Sequence, residues 1–395
     1  MALRLLLFAL LMTITAYADR PYVLLLSIDG FRADYAQRYQ ALNLIELGKR
    51  GVTARALLPC YPSSTFPNHY SIVTGLYPAH HGIVENHFYD REHDAEFHFN
   101  QEGSKNHPFF WNATPLWNYA EQQGIRTASY FWPGSDVAIQ GRSPSLFETW
   151  DSNIHAPAQV DKVLTWLALP EKDRPHFLAV YFSEVDKASH ANGPESSATA
   201  AAVALVDEAL GKLMRGIERS GLPVNLVVVS DHGMAAVKGT IPASSLGLDL
   251  SGVRVSGAST STRFYSDDPK KLDAIYQKLQ GHEPLFSVYR KNEAPPLLHY
   301  SGSDRTGDLL LVMRQPYLVY STPEPPAMKG AHGYPVESVP EMRGIFYAAG
   351  PAFRSGMIVD EFDNVHIFPL LAKILGLRVP AVDGNVSVLE PTLRK

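Results

Sequence analysis

Three apolar runs, each followed within a few residues by an aspartate, constrain the fold of this chain most. Tyr22 to Ile28 leads to Asp29, Phe177 to Phe182 leads to Asp186, and Asn225 to Val229 leads to Asp231. A nearly unbroken apolar run is the pattern of a strand covered on both faces, as in the middle of a parallel sheet. Helical spacing fills the intervals. Tyr35 to Lys49 carries Leu42, Ile45 and Leu47 mostly on one side, with Gly48 or Gly51 near its end. Leu116 to Gln123 stops at Gly124, and Ser197 to Arg219 is alanine-rich and amphipathic. Thr127 to Phe131 and Gly344 to Ala349 add strands, and Val365 to Leu377 a closing helix. The alternation predicts an α/β fold: helices on both faces of a mostly parallel sheet, with 177–229 as a βαβ unit.

From Ile241 to Pro326 the pattern changes to short alternating stretches, such as Thr262 to Ser266 and Leu309 to Met313, with many turn residues and a proline cluster. This interval, 241–326, reads as a small cap subdomain inserted into a catalytic domain made of 19–240 and 327–395.

The first eighteen residues read as a secretory signal peptide (1–18): Arg4, an apolar stretch from Leu5 to Thr15, and a small-residue site at Ala16-Tyr17-Ala18. That stretch is too short to cross a bilayer, and no later run approaches spanning length, so a membrane anchor is not expected. The mature chain is expected to start near Asp19 and work in a periplasm or as a secreted protein. With Cys60 as the only cysteine, no intrachain disulfide can form. A net charge of −5 without any basic run excludes nucleic-acid polymers as partners.

In open parallel sheets, ligands gather beyond the carboxyl ends of the strands. Asp29, Asp186 and Asp231 are thereby expected to converge, although an aspartate after a strand is also an ordinary helix N-cap. Histidines accompany them. Asp186 and His190 are four residues apart, Asp231 and His232 are adjacent and followed by Gly233, and His332 sits between Gly330 and Gly333. Carboxylate and imidazole ligands suit zinc, and manganese or cobalt could substitute. Thr65 opens a segment to Thr74 whose Pro67 and apolar spacing suggest a helix start. Its hydroxyl is either a nucleophile beside a positive helix terminus or a plain N-cap. Three aspartates, three histidines and one hydroxyl make the inventory of a two-metal phosphoryl-transfer site.

The order Asp29, Thr65-Phe66-Pro67-Asn68-His69, Thr74-Gly75-Leu76-Tyr77-Pro78-Ala79-His80-His81-Gly82, Asn86, Asp186, His190, Asp231-His232-Gly233, His332-Gly333 closely resembles the nucleotide pyrophosphatase/phosphodiesterase family of the alkaline phosphatase superfamily. The likeness covers nearly the whole mature chain. It implies a secreted bacterial member, formed by the catalytic domain alone, with an alkaline-phosphatase-like α/β/α sandwich. By that resemblance Asp186, His190 and His332 hold one Zn²⁺, and Asp29, Asp231 and His232 hold the other, with Thr65 Oγ1 completing its shell. Thr65 would form a covalent phospho-threonine, and Asn86 would donate to a phosphate oxygen. His69, His80 and His81 fall to local turn-stabilising roles. Val185, where the family often has proline, and Lys187 depart from its pattern; Lys187 is expected to point away from the ion, and Lys187 and Glu184 could instead tune a substrate headgroup.

An apolar ring at Phe66 gives no charge for an extra anionic oxygen, which favours diesters over monoesters. Phe66 could stack a nucleobase, and Trp150 stands where the family tends to carry a second stacking ring, against a core or rim reading for both. The leading expectation is a small-molecule substrate, a nucleotide diester or dinucleotide cleaved to a nucleoside monophosphate. A choline- or glycerol-type headgroup phosphodiesterase, a phosphomonoesterase and a catalytically silent zinc-binding protein are the alternatives.

Overall fold

Val23 and Leu25 of the first strand pack into one apolar layer, whereas Leu24, Leu26 and Ile28 pack into another. This division explains the unbroken run: alternate side chains point to opposite faces, and both faces are covered. The coordinates are a computed structural model that describes residues 20–101, 103–282, 284–320 and 324–395. The leader expected at 1–18 lies outside the described residues.

Eight strands form the main sheet: β1 (Tyr22–Ile28), β2 (Val52–Ala54), β3 (Thr127–Tyr130), β4 (Leu146–Glu148), β5 (Phe177–Phe182), β6 (Val224–Val229), β7 (Phe346–Ala349) and β8 (Met357–Val359). Their order is β8-β2-β7-β6-β1-β5-β3-β4. β1 is parallel to both neighbours, with Leu26 opposite Val180 on β5 and Val228 on β6. Only β7 runs antiparallel to its neighbours, β6 and β2. One face is covered by α1 (Leu42–Arg50), α4 (Ala156–Leu167) and α6 (Ser197–Ser220); the other by α2 (Thr65–Thr74), α3 (Leu116–Gln122) and α7 (Ile367–Ile374). The short α5 (Glu184–Asn192) follows β5 directly. No described helix is long and apolar enough to cross a membrane.

Two details differ from the sequence reading. The strands at 177–182 and 224–229 do not pair with each other, because β1 lies between them. The helical pattern at 35–49 is broken: a turn of helix (Tyr35–Arg38) ends, Gln40 takes a left-handed φ of 53°, and α1 begins at Leu42. Its buried stripe is Leu44, Leu47 and Gly48, while Leu42 is 63% exposed. Gly48 sets that stripe, since a Cβ there would come within 2.3 Å of Thr53 Oγ1 and 3.0 Å of the Tyr347 ring.

Beyond the main sheet, Arg254–Ala258, Ser261–Tyr265, Leu309–Met313 and Phe286–Arg290 form a four-stranded antiparallel sheet in that order, accompanied by the helix Pro269–Leu279. Phe264, Ile275, Leu279, Phe286 and Leu311 belong to a third apolar cluster, which also takes in Ala235, Tyr334 and Met342 from the flanking chain.

Candidate active site

The parallel register ends β1, β5 and β6 on one edge of the sheet, and the three aspartates follow from it. Asp29 leaves β1 with its backbone N–H donating to Phe182 O at 2.9 Å. Asp231 leaves β6, and its Oδ1 accepts from Gly30 N at 3.2 Å. Asp186 stands in the first turn of α5. Gly30 has a φ of 66°, and a Cβ there would sit 3.0 Å from both Cα and Cβ of Asp186, so only glycine lets the two loops approach.

The histidines close on the same point. His232 Nε2 lies 3.1 Å from Asp231 Oδ2, 3.4 Å from Asp29 Oδ1 and 3.4 Å from Thr65 Oγ1. His190 Nε2 is 3.2 Å, and His332 Nε2 3.7 Å, from Asp186 Oδ1. The rings of His232 and His332 stack with centroids 3.7 Å apart. All seven residues of the expected metal and nucleophile set are therefore brought together.

Each imidazole is also oriented. Nδ1 of His190, His232 and His332 lies 2.8 Å from a carbonyl oxygen, of Gly330, Gly233 and Ser63 respectively. A carbonyl can only accept, so Nδ1 carries the proton and a neutral ring presents its Nε2 lone pair to the cleft. Facing these nitrogens, Asp29 Oδ1, Asp186 Oδ1 and Asp231 Oδ2 are buried and, among the described residues, accept no hydrogen bond. Unpartnered buried carboxylate oxygens are costly, and divalent cations would satisfy them. The donors form two triplets sharing His232, Asp29/Asp231/His232 and Asp186/His232/His332, each within 4.8 Å. Mixed carboxylate and imidazole donors of this kind fit zinc.

The electrostatics carry the same signature. Burial, with the charges of Asp231 and Asp186, pushes the Asp29 carboxyl well above the usual range. Burial opposes ionisation of Asp186 as well, but the His190 imidazole outweighs it and holds the carboxyl at about 2. Burial works against protonation of His190 and His232, yet Asp186 and Asp231 raise both. Burial, with His232 and His190 beside it, drives His332 down to about 3.

Thr65 is the first residue of α2, a helix buried along its whole length. The side-chain oxygen of Asn86 accepts from Phe66 N at 2.9 Å, which leaves the Asn86 amide N–H groups as its donors. Phe66 and Trp150 line one cavity of about 410 Å³ together with Thr65, Asp29, Asp186 and Lys187. Phe66 is buried against Phe97, Phe99 and Trp111, whereas Trp150 is 41% exposed and braced by Phe131 and Tyr181.

Sequence reasoning missed two residues. Tyr181 donates its hydroxyl to Asp29 Oδ2 from inside an otherwise apolar strand, with no signal beyond its polar tip. His69, read as a turn stabiliser, is fully buried between Thr65 O and Ser27 Oγ, each at 2.8 Å, and its Nδ1 lies 3.3 Å from Asp231 Oδ2. Glu184 is not among the residues lining that cavity, and its Oε1 accepts from Ala156 N at 2.7 Å at the start of α4. Lys187 lines the cavity, with its ammonium 4.8 Å from the centre of the Trp150 ring.

Residues 23–335 match the family model described as type I phosphodiesterase/nucleotide pyrophosphatase. The chain belongs to this family. Among curated members of the phosphodiesterase/nucleotide pyrophosphatase family, it is 32% identical to ectonucleotide pyrophosphatase/phosphodiesterase family member 3 of Rattus norvegicus, over 95% of this chain and 44% of that protein. It is 33% identical to venom phosphodiesterase CdcPDE of Crotalus durissus collilineatus, over 94% of this chain and 46% of that protein. The chain thus spans less than half the length of these relatives. Murine ectonucleotide pyrophosphatase/phosphodiesterase 5 superposes with a TM-score of 0.89 at 29% identity, covering 94% of this chain and 100% of that one. An inactive threonine-to-alanine variant of the murine protein, in complex with AMP, gives the same TM-score. The superposition carries the alkaline-phosphatase-like α/β fold expected from the sequence.

Proposed function

We propose that this chain is a zinc-dependent phosphodiesterase and nucleotide pyrophosphatase that releases nucleoside monophosphates through a covalent phospho-threonine at Thr65. One observation carries the reading: three unpartnered carboxylate oxygens and three oriented imidazole nitrogens meet in one cluster, whose His232 Nε2 lies 3.4 Å from the Thr65 hydroxyl. Asp186, His190 and His332 would hold one zinc, and Asp29, Asp231 and His232 the other. Bound zinc would supply positive charge to the phosphoryl oxygens and lower the pKa of the Thr65 hydroxyl. Thr65 Oγ1 then bonds to phosphorus as the departing ester oxygen leaves. Water attacks the phospho-threonine in a second in-line step, which restores Thr65 and gives net retention at phosphorus. Asn86 donates its amide to a non-bridging oxygen, and Phe66 and Trp150 stack the base. The inactive threonine variant of the murine relative and its AMP support this reading.

Lys187 weighs against the choline-type alternative, because an ammonium beside the Trp150 ring repels a quaternary ammonium. Residues 19–240 and 327–395 form the catalytic unit in this proposal, and 241–326 its inserted cap. The leader at 1–18 supports export, to a bacterial periplasm or the exterior.

The test compares a nitrophenyl nucleotide diester, a nitrophenyl monoester and a phosphocholine ester, with and without chelator and added zinc. Diester turnover that is lost on chelation and restored by zinc is expected. Thr65→Ala should abolish it with zinc content nearly unchanged. Monoester preference, chelator-resistant turnover, or an active Thr65→Ala variant would each overturn the proposal.

A further inference from the structure

We infer that Lys187 makes the cavity selective for diesters carrying a second phosphate on the nucleoside half, the half stacked against Trp150. This rests on the proposed function and goes beyond it. Four charged side chains line the cavity without belonging to the metal set: Lys105, Asp136, Glu148 and Lys187. Lys105 is paired with Asp136 at 3.3 Å, and Glu148 with Lys162 at 2.8 Å. Lys187 is different. Among the described residues no carboxylate lies within ion-pair distance of its ammonium, which instead rests on the Trp150 ring.

An exposed lysine whose ammonium rests on an aromatic ring, with no carboxylate beside it, keeps its charge available to an incoming anion. Placed on the solvent face of a helix, such a lysine would be unremarked. This one directly follows Asp186, so α5 presents a metal-set carboxylate and an unneutralised cation to the same cavity. In the proposed pose, the sugar of a nucleoside stacked on Trp150 lies between that ring and the phosphate reacting at Thr65, since both residues line the same cavity. A second phosphate on that nucleoside would find Lys187 as the unneutralised cation of the cavity lining, since Lys105 is paired with Asp136. The chemistry recognised is a phosphodiester whose nucleoside is phosphorylated a second time.

The experiment measures kcat/KM for the nitrophenyl diester of thymidylate, alone and with a second phosphate on its free sugar hydroxyl, and for a nucleoside triphosphate. Wild type, Lys187→Gln and Lys187→Arg are compared at low and high salt. The preference for the doubly phosphorylated diester over the plain one should fall about threefold to fivefold in Lys187→Gln, the upper end for an exposed ion pair. It should persist in Lys187→Arg and shrink with salt. A ratio unaffected by Lys187→Gln, or a loss confined to the triphosphate, overturns this inference alone. Failure of the wild type to cleave either diester overturns the proposed function and this inference with it.

Discussion

In the proposed mechanism Asn86 serves two partners: its oxygen accepts from Phe66 N, which leaves its amide N–H groups for the substrate phosphate. A donor held in advance costs no reorganisation when charge develops in the transition state. Asn86→Ala is expected to lower kcat about 10²-fold to 10³-fold, as for the loss of one such donor, with zinc content intact; a fall below about tenfold would remove Asn86 from the transition state. Proton competition sets a second expectation. His190 and His232 sit above the ordinary histidine value of 6.5, and Asp29 above the ordinary carboxyl range. Each must lose its proton to ligate, so zinc affinity rises with pH and weakens as pH falls through the neutral range. Competition with a chelator from about pH 8 to about pH 6 would measure it, and a flat profile would contradict the ligand set. At this scale the site was largely legible, because Asp231-His232 and the Asp186/His190 spacing are local patterns. Tyr181 and His69 were not: what makes them part of the site is contact across 152 and 162 positions of sequence, with Asp29 and Asp231.

Elements turn those residues into a site through where strands stop. β1, β5 and β6 were readable almost to their ends, since burial on both faces leaves a continuous apolar run. Their spatial order was not readable, because pairing is long-range and β1 separates two strands that sequence makes consecutive partners. The break before α1 escaped for a related reason: helical periodicity continues through Gln40, whose left-handed backbone only the surrounding packing reveals. Gly30 joins strand geometry to ligand geometry. Gly30→Ala would combine a left-handed φ with a Cβ pressed against the Asp186 backbone. The expected result is a 10-fold to 100-fold loss of zinc affinity, roughly that of a lost supporting contact, with thermal stability lowered as well. Unchanged affinity would mean that the two loops adjust freely.

At the scale of the whole molecule, the four-stranded unit does more than sit beside the main sheet. Arg263 on its second strand is fully buried, and its Nη2 lies 3.4 Å from Glu85 Oε2, also fully buried. Glu85 Oε1 accepts from Asn86 N at 2.9 Å, so a charge from this unit faces the residue that positions the proposed phosphate donor. Tyr300 completes the joint, donating to Val84 O at 2.7 Å and accepting from Arg263 Nε at 2.9 Å. On the loop beyond, Thr260 Oγ1 donates to His332 O at 3.0 Å. Arg263→Met should therefore cost about 3–5 kcal/mol of stability, because it strands the Glu85 carboxylate without a cation. Adding Glu85→Gln should recover more than half of that loss, since the stranded charge disappears. The surviving Arg263→Met enzyme should lose kcat more than KM, the pattern of a loosened Asn86 and not of a damaged stacking wall. Denaturant titration and steady-state kinetics read both effects. A stability cost under about 1 kcal/mol, the range of an exposed pair, would mean that the joint is not closed and that the unit leaves Asn86 untouched.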